Sequence, residues 1–142
     1  MAAWLLLLWL AMAYEPFNRR DWLLENLLVF FYVGLLLATY RRFRFSSLSY
    51  FLFTCFMSLH LIGAHYTYAE VPLGFWLQDV LVLSRNHYDR IVHLAFGLLI
   101  AYPLREWLLR VTGIRSGWSY FMTVVLVLAF SGFMKSWRVW SQ

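Results

Sequence analysis

The sequence predicts an all-α membrane protein, a polytopic bundle of about five transmembrane helices in one domain over residues 1–142. Hydrophobic residues make up 63% of the chain and charged residues 13%, which is about half the usual charged share. A soluble domain of this length cannot bury so much apolar surface. Tryptophan and tyrosine cluster near the ends of the apolar runs, as in the aromatic belts of membrane helices.

Five apolar runs define the helices. The predicted spans are residues 2–14, 22–40, 48–66, 88–109 and 118–134. The first run is short for a crossing, which takes about 20 residues, and Glu15-Pro16 closes it. The second run reaches full length before Arg41, and the third follows the polar pair Ser46-Ser47.

A mixed segment, residues 67–88, separates the third and fourth runs and is too polar to span freely. An interfacial or re-entrant piece around Phe75-Trp76-Leu77 is expected there. The fourth run contains Pro103, which favours a kink near its end, because neighbouring helices can satisfy the carbonyl that proline frees. The fifth run ends before two basic residues near the C-terminus.

Charged residues distinguish the two ends of the predicted bundle. One end carries a single acid, Glu106, among arginines: Arg41, Arg42, Arg44, Arg105, Arg110 and Arg115. The other end has as many basic residues: Arg19, Arg20, Arg85, Arg90, Lys135 and Arg138. It also has the remaining acids: Glu15, Asp21, Glu25, Glu70, Asp79 and Asp89. The two ends have equal numbers of basic residues, so the positive-inside rule by itself does not decide the orientation. Treating Arg85 and Arg90 as site residues breaks the tie, so we predict that the arginine-rich end and the N-terminus face the cytoplasm.

The net charge of +5 does not indicate a nucleic-acid-binding protein. The basic residues sit in short clusters between apolar runs, where orientation in a membrane explains them. Membrane lipids are therefore the expected partners. The one cysteine, Cys55, cannot form an internal disulfide. The sequence contains no HExxH, no CxxC pair and no glycine-rich phosphate loop.

Two segments, residues 60–68 and 85–93, concentrate polar side chains at one membrane boundary. The third helix ends where the fourth begins, so the two segments lie at the same depth. Asp89 and His93 are four residues apart and share a helix face. The predicted polar cluster consists of Glu25, His60, His65, Arg85, His87, Asp89, Arg90 and His93. Gly63 and Gly97 are expected to let two helices approach closely.

Several kinds of chemistry fit this cluster. His65, Asp89 and His93 can bind zinc or another divalent metal if they converge. Imidazoles and a carboxylate at one depth can also form a proton relay or an acid–base pair. A third interpretation is structural, in which Asp89 and His93 only hydrogen-bond across the bundle and fix the helix register.

Three functional hypotheses follow. The first is a membrane protein whose polar pocket opens to the outside and binds a lipid or a small polar ligand. The second is a metal-dependent membrane enzyme, and the third is a helper subunit whose polar groups only hold helices together. Whether the chain is an enzyme stays open at this point, and the sequence names no cofactor beyond the divalent metal.

The same segments carry a family resemblance. The matching motifs are Asp21-Trp22-Leu23-Leu24-Glu25-Asn26, Gly63-Ala64-His65-Tyr66-Thr67-Tyr68 with Val71-Pro72, Arg85-Asn86-His87-Tyr88-Asp89-Arg90 with Val92-His93 and Phe96-Gly97, Tyr102-Pro103 and Arg105-Glu106. Over nearly the whole chain the sequence resembles the YjdF-like proteins of the bacterial inner membrane, a family with no established reaction. The pattern of Asp89 and His93 is also loosely similar to VanZ-like membrane proteins.

The resemblance implies a multi-pass protein of the bacterial inner membrane, usually with about six spans and a Tyr-Glu-x-x-Glu-Trp motif in the fifth helix. This chain departs from that pattern after Phe133. Removing one nucleotide from codons for Phe-Tyr-Glu-Ile-Leu-Glu gives Phe-Met-Lys-Ser-Trp, which is the sequence of residues 133–137. We therefore expect a truncated family member with a frame-shifted tail, lower stability and an incomplete site.

Overall fold

The computed structural model describes the backbone of residues 1–141 and the side chains of these residues except Met134 and residues 137–141. The proposed frame-shifted tail therefore lies largely outside the described side chains. The described chain is helical and contains no strand. Its helices are α1 (Ala2–Ala13), α2 (Arg19–Thr39), α3 (Ser47–His65), α4 (Pro72–Val80), α5 (Tyr88–Thr112) and α6 (Ser116–Ser141).

Four of these helices are long and apolar enough to cross a membrane. They are α2, α3, α5 and residues 116–133 of α6, and α1 is a shorter apolar helix of 12 residues. The predicted class, a polytopic helical membrane protein, is confirmed. The single domain and the limits of the membrane crossings remain predictions.

Local signals explain where the helices begin and end. The Asn18 side chain accepts hydrogen bonds from the backbone amides of Arg20 and Asp21 and caps α2. Ser46 caps α3 in the same way. Helix α5 continues through Pro103 and stops at Gly113, whose φ of 63° is the left-handed conformation that favours glycine.

Helix α4 occupies the mixed segment in which an interfacial piece was expected. It is nine residues long and begins with Pro72. Leu73, Phe75 and Trp76 are exposed on it. A short helix with exposed apolar side chains, next to membrane-length helices, is typical of an element that lies in the membrane interface.

Helix α3 is the centre of the bundle. It packs against α1, α2 and α5, and α6 packs against α5. In the most apolar 18-residue stretch of α3, 44% is buried, whereas the corresponding stretch of α2 is 11% buried. The core between α3 and α5 is apolar, with the Phe56 and Phe96 rings 5.3 Å apart and Ile100 and Val92 buried beside them.

Two opposite ends of the bundle bring loops together. The histidine end (residues 13–19, 65–72 and 83–90) joins α1 to α2 and α3 to α5, and the Phe17 amide donates to the His65 carbonyl there, at 3.0 Å. At the arginine end (residues 39–47 and 105–116) Arg110 donates to the Arg44 carbonyl at 2.9 Å.

Candidate functional site

His60 is the buried centre of the histidine end. Its side chain is fully inaccessible to solvent. The Tyr68 hydroxyl lies 2.6 Å from His60 Nδ1. On the other edge of the ring, His60 Nε2 lies 3.3 Å from the Glu25 carbonyl oxygen and 3.9 Å from its carboxylate Oε2. A neutral imidazole that accepts from Tyr68 and donates from Nε2 towards Glu25 satisfies both contacts.

A strained turn brings Tyr68 back to His60. The Tyr68 amide donates to the Gly63 carbonyl at 2.8 Å. Thr67 and Tyr68 have φ values of 52° and 59°, a region that non-glycine residues avoid at a cost of about 1–3 kcal/mol each. Strain of this kind concentrates at functional sites.

Gly63 makes room for the tyrosine ring. A Cβ at this position lies 2.5 Å from the Tyr68 ring. The expectation that Gly63 lets two helices approach closely was therefore wrong, because the ring of Tyr68 fills the space. At Gly97 a Cβ meets only Val127 of α6, at 3.7 Å, which is an ordinary contact.

Asn26 anchors α1 beside this network. It is fully buried, accepts a hydrogen bond from Trp9 Nε1 at 2.7 Å and donates to the Trp22 carbonyl at 2.7 Å. The neighbouring Glu25 side chain is 18% exposed. Its carboxylate therefore sits at the margin between the buried His60 and the surroundings.

Asn86 holds the turn from the opposite side. Its amide donates to the carbonyls of Ala69 and Val71, and its Oδ1 accepts from the Tyr88 amide. A Cβ at Gly74 clashes with the Asn86 side chain at 1.9 Å, so α4 packs directly on this asparagine. The sequence motif contains Asn86, but its role in bracing the turn was missed.

His65 faces the loop between α1 and α2. Its Nδ1 lies 2.8 Å from the Met12 carbonyl oxygen and donates to it, and its own carbonyl accepts from the Phe17 amide. It thereby fastens the end of α1 to the segment that leads into α2.

Asp89 and His93 form a separate pair on α5. His93 Nε2 lies 3.6 Å from Asp89 Oδ1. His93 Nδ1 lies 3.3 Å from the Ser131 hydroxyl of α6. The pair therefore bridges α5 and α6.

His87, Arg85 and Arg90 lie at the start of α5. His87 is the N-cap residue of the helix. Partial desolvation and the positive charges of Arg90 and Arg85 lower its pKa below 6.5. Both arginines are exposed.

The contacts divide the predicted cluster into separate groups. Glu25 and His60 form one, Asp89 and His93 form another, and His65 contacts the end of α1. Among the residues that the structure describes, no three His, Cys, Asp or Glu side chains are arranged to hold a metal ion. The proposed ligands His65, Asp89 and His93 do not form such a set, because His65 turns towards α1 and His93 towards α6.

The arginine end contains a second carboxylate network that the sequence interpretation missed. Glu106 of α5 accepts hydrogen bonds from the Ser46 amide and hydroxyl, both at 2.9 Å, and from the Ser49 hydroxyl. Arg110 pairs with it at 2.8 Å. The Glu106 side chain is only 8% exposed. The sequence did offer one signal for this network, because Glu106 is the one acid among the arginines of this end.

Comparison with known proteins gives a family but no fold template. Residues 1–136 match the family described as "Predicted membrane protein (DUF2238)". The chain is 43% identical over 93 residues to the inner membrane protein YjdF of Escherichia coli (strain K12). That match covers 66% of this chain and 44% of the relative, so the matched region spans less than half of the relative's length. No solved structure matches.

Proposed function

Because the chain belongs to the DUF2238 family of predicted membrane proteins, and its relative is an inner membrane protein, we propose that it is an inner-membrane binding protein. Its ligand is a lipid headgroup or a small polar molecule that enters at the histidine end and meets the Glu25 carboxylate. The family itself supplies no reaction, so the proposal rests on the geometry around His60.

The linked chain of Tyr68, His60 and Glu25 is the observation that carries this proposal. A buried histidine beside a carboxylate is expensive in a membrane bundle and marks a functional site by default. Here the backbone strain at Thr67 and Tyr68 adds to the cost of placing the hydroxyl on the imidazole. An arrangement this costly is favoured where the polar groups do more than fix helix register.

The chemistry of the carboxylate defines the ligand class. Glu25 is partly exposed and offers an acceptor to an ammonium or hydroxyl group. His60 can donate to Glu25 while neutral and form an ion pair with it when protonated. The site is therefore suited to a ligand that brings a hydrogen-bond donor.

Intact-complex mass spectrometry tests the proposal. Wild type, Glu25→Gln and Glu70→Gln are extracted from membranes in mild detergent, and the masses that remain bound are compared. Glu70 is exposed at the same end and serves as the matched control. We expect Glu25→Gln to lose a bound species that Glu70→Gln retains.

The structural alternative gives a different result. If the network only holds helices together, Glu25→Gln lowers the melting temperature and leaves the bound masses unchanged. That outcome would refute the binding function and favour the helper subunit.

A further inference from the structure

A cavity lies where α1 ends and α2 begins. Its volume is about 190 Å³, and it is lined by Ala13, Pro16, Arg19, Trp22 and Leu23. This is about six times the volume of one liquid water molecule, which is large enough for a phosphate group and its ester oxygens. Glu25, His60 and Tyr68 do not line it, so it is distinct from the site proposed above.

The lining combines one cation with apolar walls. Of the described residues that line the cavity, Arg19 alone is charged. A guanidinium presents several fixed donors that match phosphate oxygens. The other lining residues are uncharged, and the Nε1 of Trp22 is inaccessible to solvent. The acids of the adjoining loop and helix turn, Glu15 and Asp21, are not part of the lining.

The surroundings of the cavity suit an acyl chain. Leu23 lines it and is 58% exposed, and Leu10 of α1 and Phe17 of the loop are 53% and 68% exposed. Apolar side chains beside a cation at the end of membrane-length helices resemble the boundary between lipid tails and headgroups.

His65 fastens both ends of the loop that contributes Ala13 and Pro16 to the lining. Ala13 and Pro16 lie between Met12 and Phe17, and His65 bonds to both of these flanking residues. The loop therefore does not need to order itself on binding, which removes one entropic cost of association.

We propose that this cavity binds the phosphate group of a membrane phospholipid, with Arg19 as the phosphate ligand and Leu23 and Phe17 against the acyl chain. The same phosphate chemistry occurs in free inorganic phosphate, so the experiment separates the two sources.

The test adds defined lipids to the delipidated protein in detergent and counts the bound molecules by intact-complex mass spectrometry. The probes are phosphatidylglycerol, diacylglycerol with the same chains, and inorganic phosphate. We expect phosphatidylglycerol to bind and diacylglycerol not to bind. Failure of inorganic phosphate to compete assigns the lipid source, whereas competition by it assigns a phosphate site open to solution.

Three variants define the site. Arg19→Gln is expected to weaken phosphatidylglycerol binding about tenfold, the loss of one charge-assisted contact. Arg20→Gln is the matched control, because Arg20 is the next residue, is exposed and does not line the cavity. Ala13→Leu fills the cavity while keeping the charge and is expected to weaken binding as well.

Equal binding by wild type and Arg19→Gln would overturn the proposal, as would equal losses in Arg19→Gln and Arg20→Gln or equal binding of diacylglycerol. Helical circular dichroism verifies that each variant is folded. If Arg19→Gln does not fold, Ala13→Leu decides the outcome. The test is independent of the Glu25 site, because Arg19 and Ala13 do not belong to the network of Glu25, His60 and Tyr68.

Discussion

The two ends of the bundle each hold a carboxylate with little exposure, and the two carboxylates have different partners. Glu106 at the arginine end is held by Ser46, Ser49 and Arg110, whose donors keep their protons at neutral pH. Glu25 at the histidine end faces the buried imidazole of His60, a ring that can donate or accept a hydrogen bond.

This difference distinguishes a network that stabilises the fold from one that is suited to binding a ligand. Glu106 also caps the N-terminus of α3 from a different helix, so one side chain satisfies an orphan amide and joins α5 to α3. In the network around Glu25, the strained backbone of Thr67 and Tyr68 places a hydroxyl against the imidazole of His60. We therefore propose that the arginine end stabilises the fold and that the histidine end binds the ligand.

The largest expected effect belongs to Glu106. Glu106→Ala removes the acceptor of the Ser46 amide and the Ser49 hydroxyl and breaks the ion pair with Arg110, so we expect a loss of about 2–4 kcal/mol in the free energy of unfolding. Arg110 is 51% exposed and can be hydrated, which keeps the loss below that of a fully buried pair. Unfolding by denaturing detergent measures it. A loss under about 0.5 kcal/mol, the size of an ordinary surface substitution, would contradict the fastening role.

Gly63→Ala is expected to have the next largest effect. The added methyl displaces the Tyr68 ring, and overpacking of this kind costs about 1–3 kcal/mol. Gly97→Ala is the control, because its methyl has room and a helical alanine gains about 0.5–1 kcal/mol over glycine. Equal unfolding midpoints for the two variants would show that Tyr68 does not depend on Gly63.

Tyr68→Phe removes one hydroxyl and keeps the ring. The buried His60 Nδ1 then loses this donor, and we expect about 1 kcal/mol less stability. The ¹⁵N resonance of His60 Nδ1 is expected to shift in the same variant. An unchanged resonance would mean that the hydroxyl does not bond to the imidazole in solution.

The smallest effect is a pH dependence at His87. Its pKa in the folded protein lies below the ordinary 6.5, so below pH 6.5 the unfolded chain binds the proton more readily than the folded one. Acidification through this range therefore lowers stability. We expect the melting temperature of His87→Gln to fall less than that of wild type between pH 8 and pH 5. An identical fall would show that desolvation and the charges of Arg90 and Arg85 do not lower the pKa of His87 in the folded protein.

The sequence predicted the helical membrane class because the length of an apolar run is a local signal. The polar pair Ser46-Ser47 marked the start of α3, whereas Asn18, which caps α2, was not recognised. The spacing of Asp89 and His93 likewise gave their contact on one face of α5.

The parts that escaped prediction depend on tertiary structure. Tyr68 reaches His60 only through two non-glycine residues in the left-handed region, a conformation that local preferences oppose. Glu106 meets Ser46 across 60 residues of sequence. The direction of His65 depends on how α3 is rotated against α1, which helix periodicity alone does not determine.

The most direct test of the comparison measures two properties on the same two variants. Glu25→Gln and Glu106→Gln are each assayed for melting temperature and for bound masses in intact-complex mass spectra. We predict that Glu25→Gln loses a bound species and melts within a few degrees of wild type, whereas Glu106→Gln melts markedly lower and keeps that species. If Glu25→Gln keeps every bound mass and is the variant that melts lower, the assignment of binding to the histidine end is wrong.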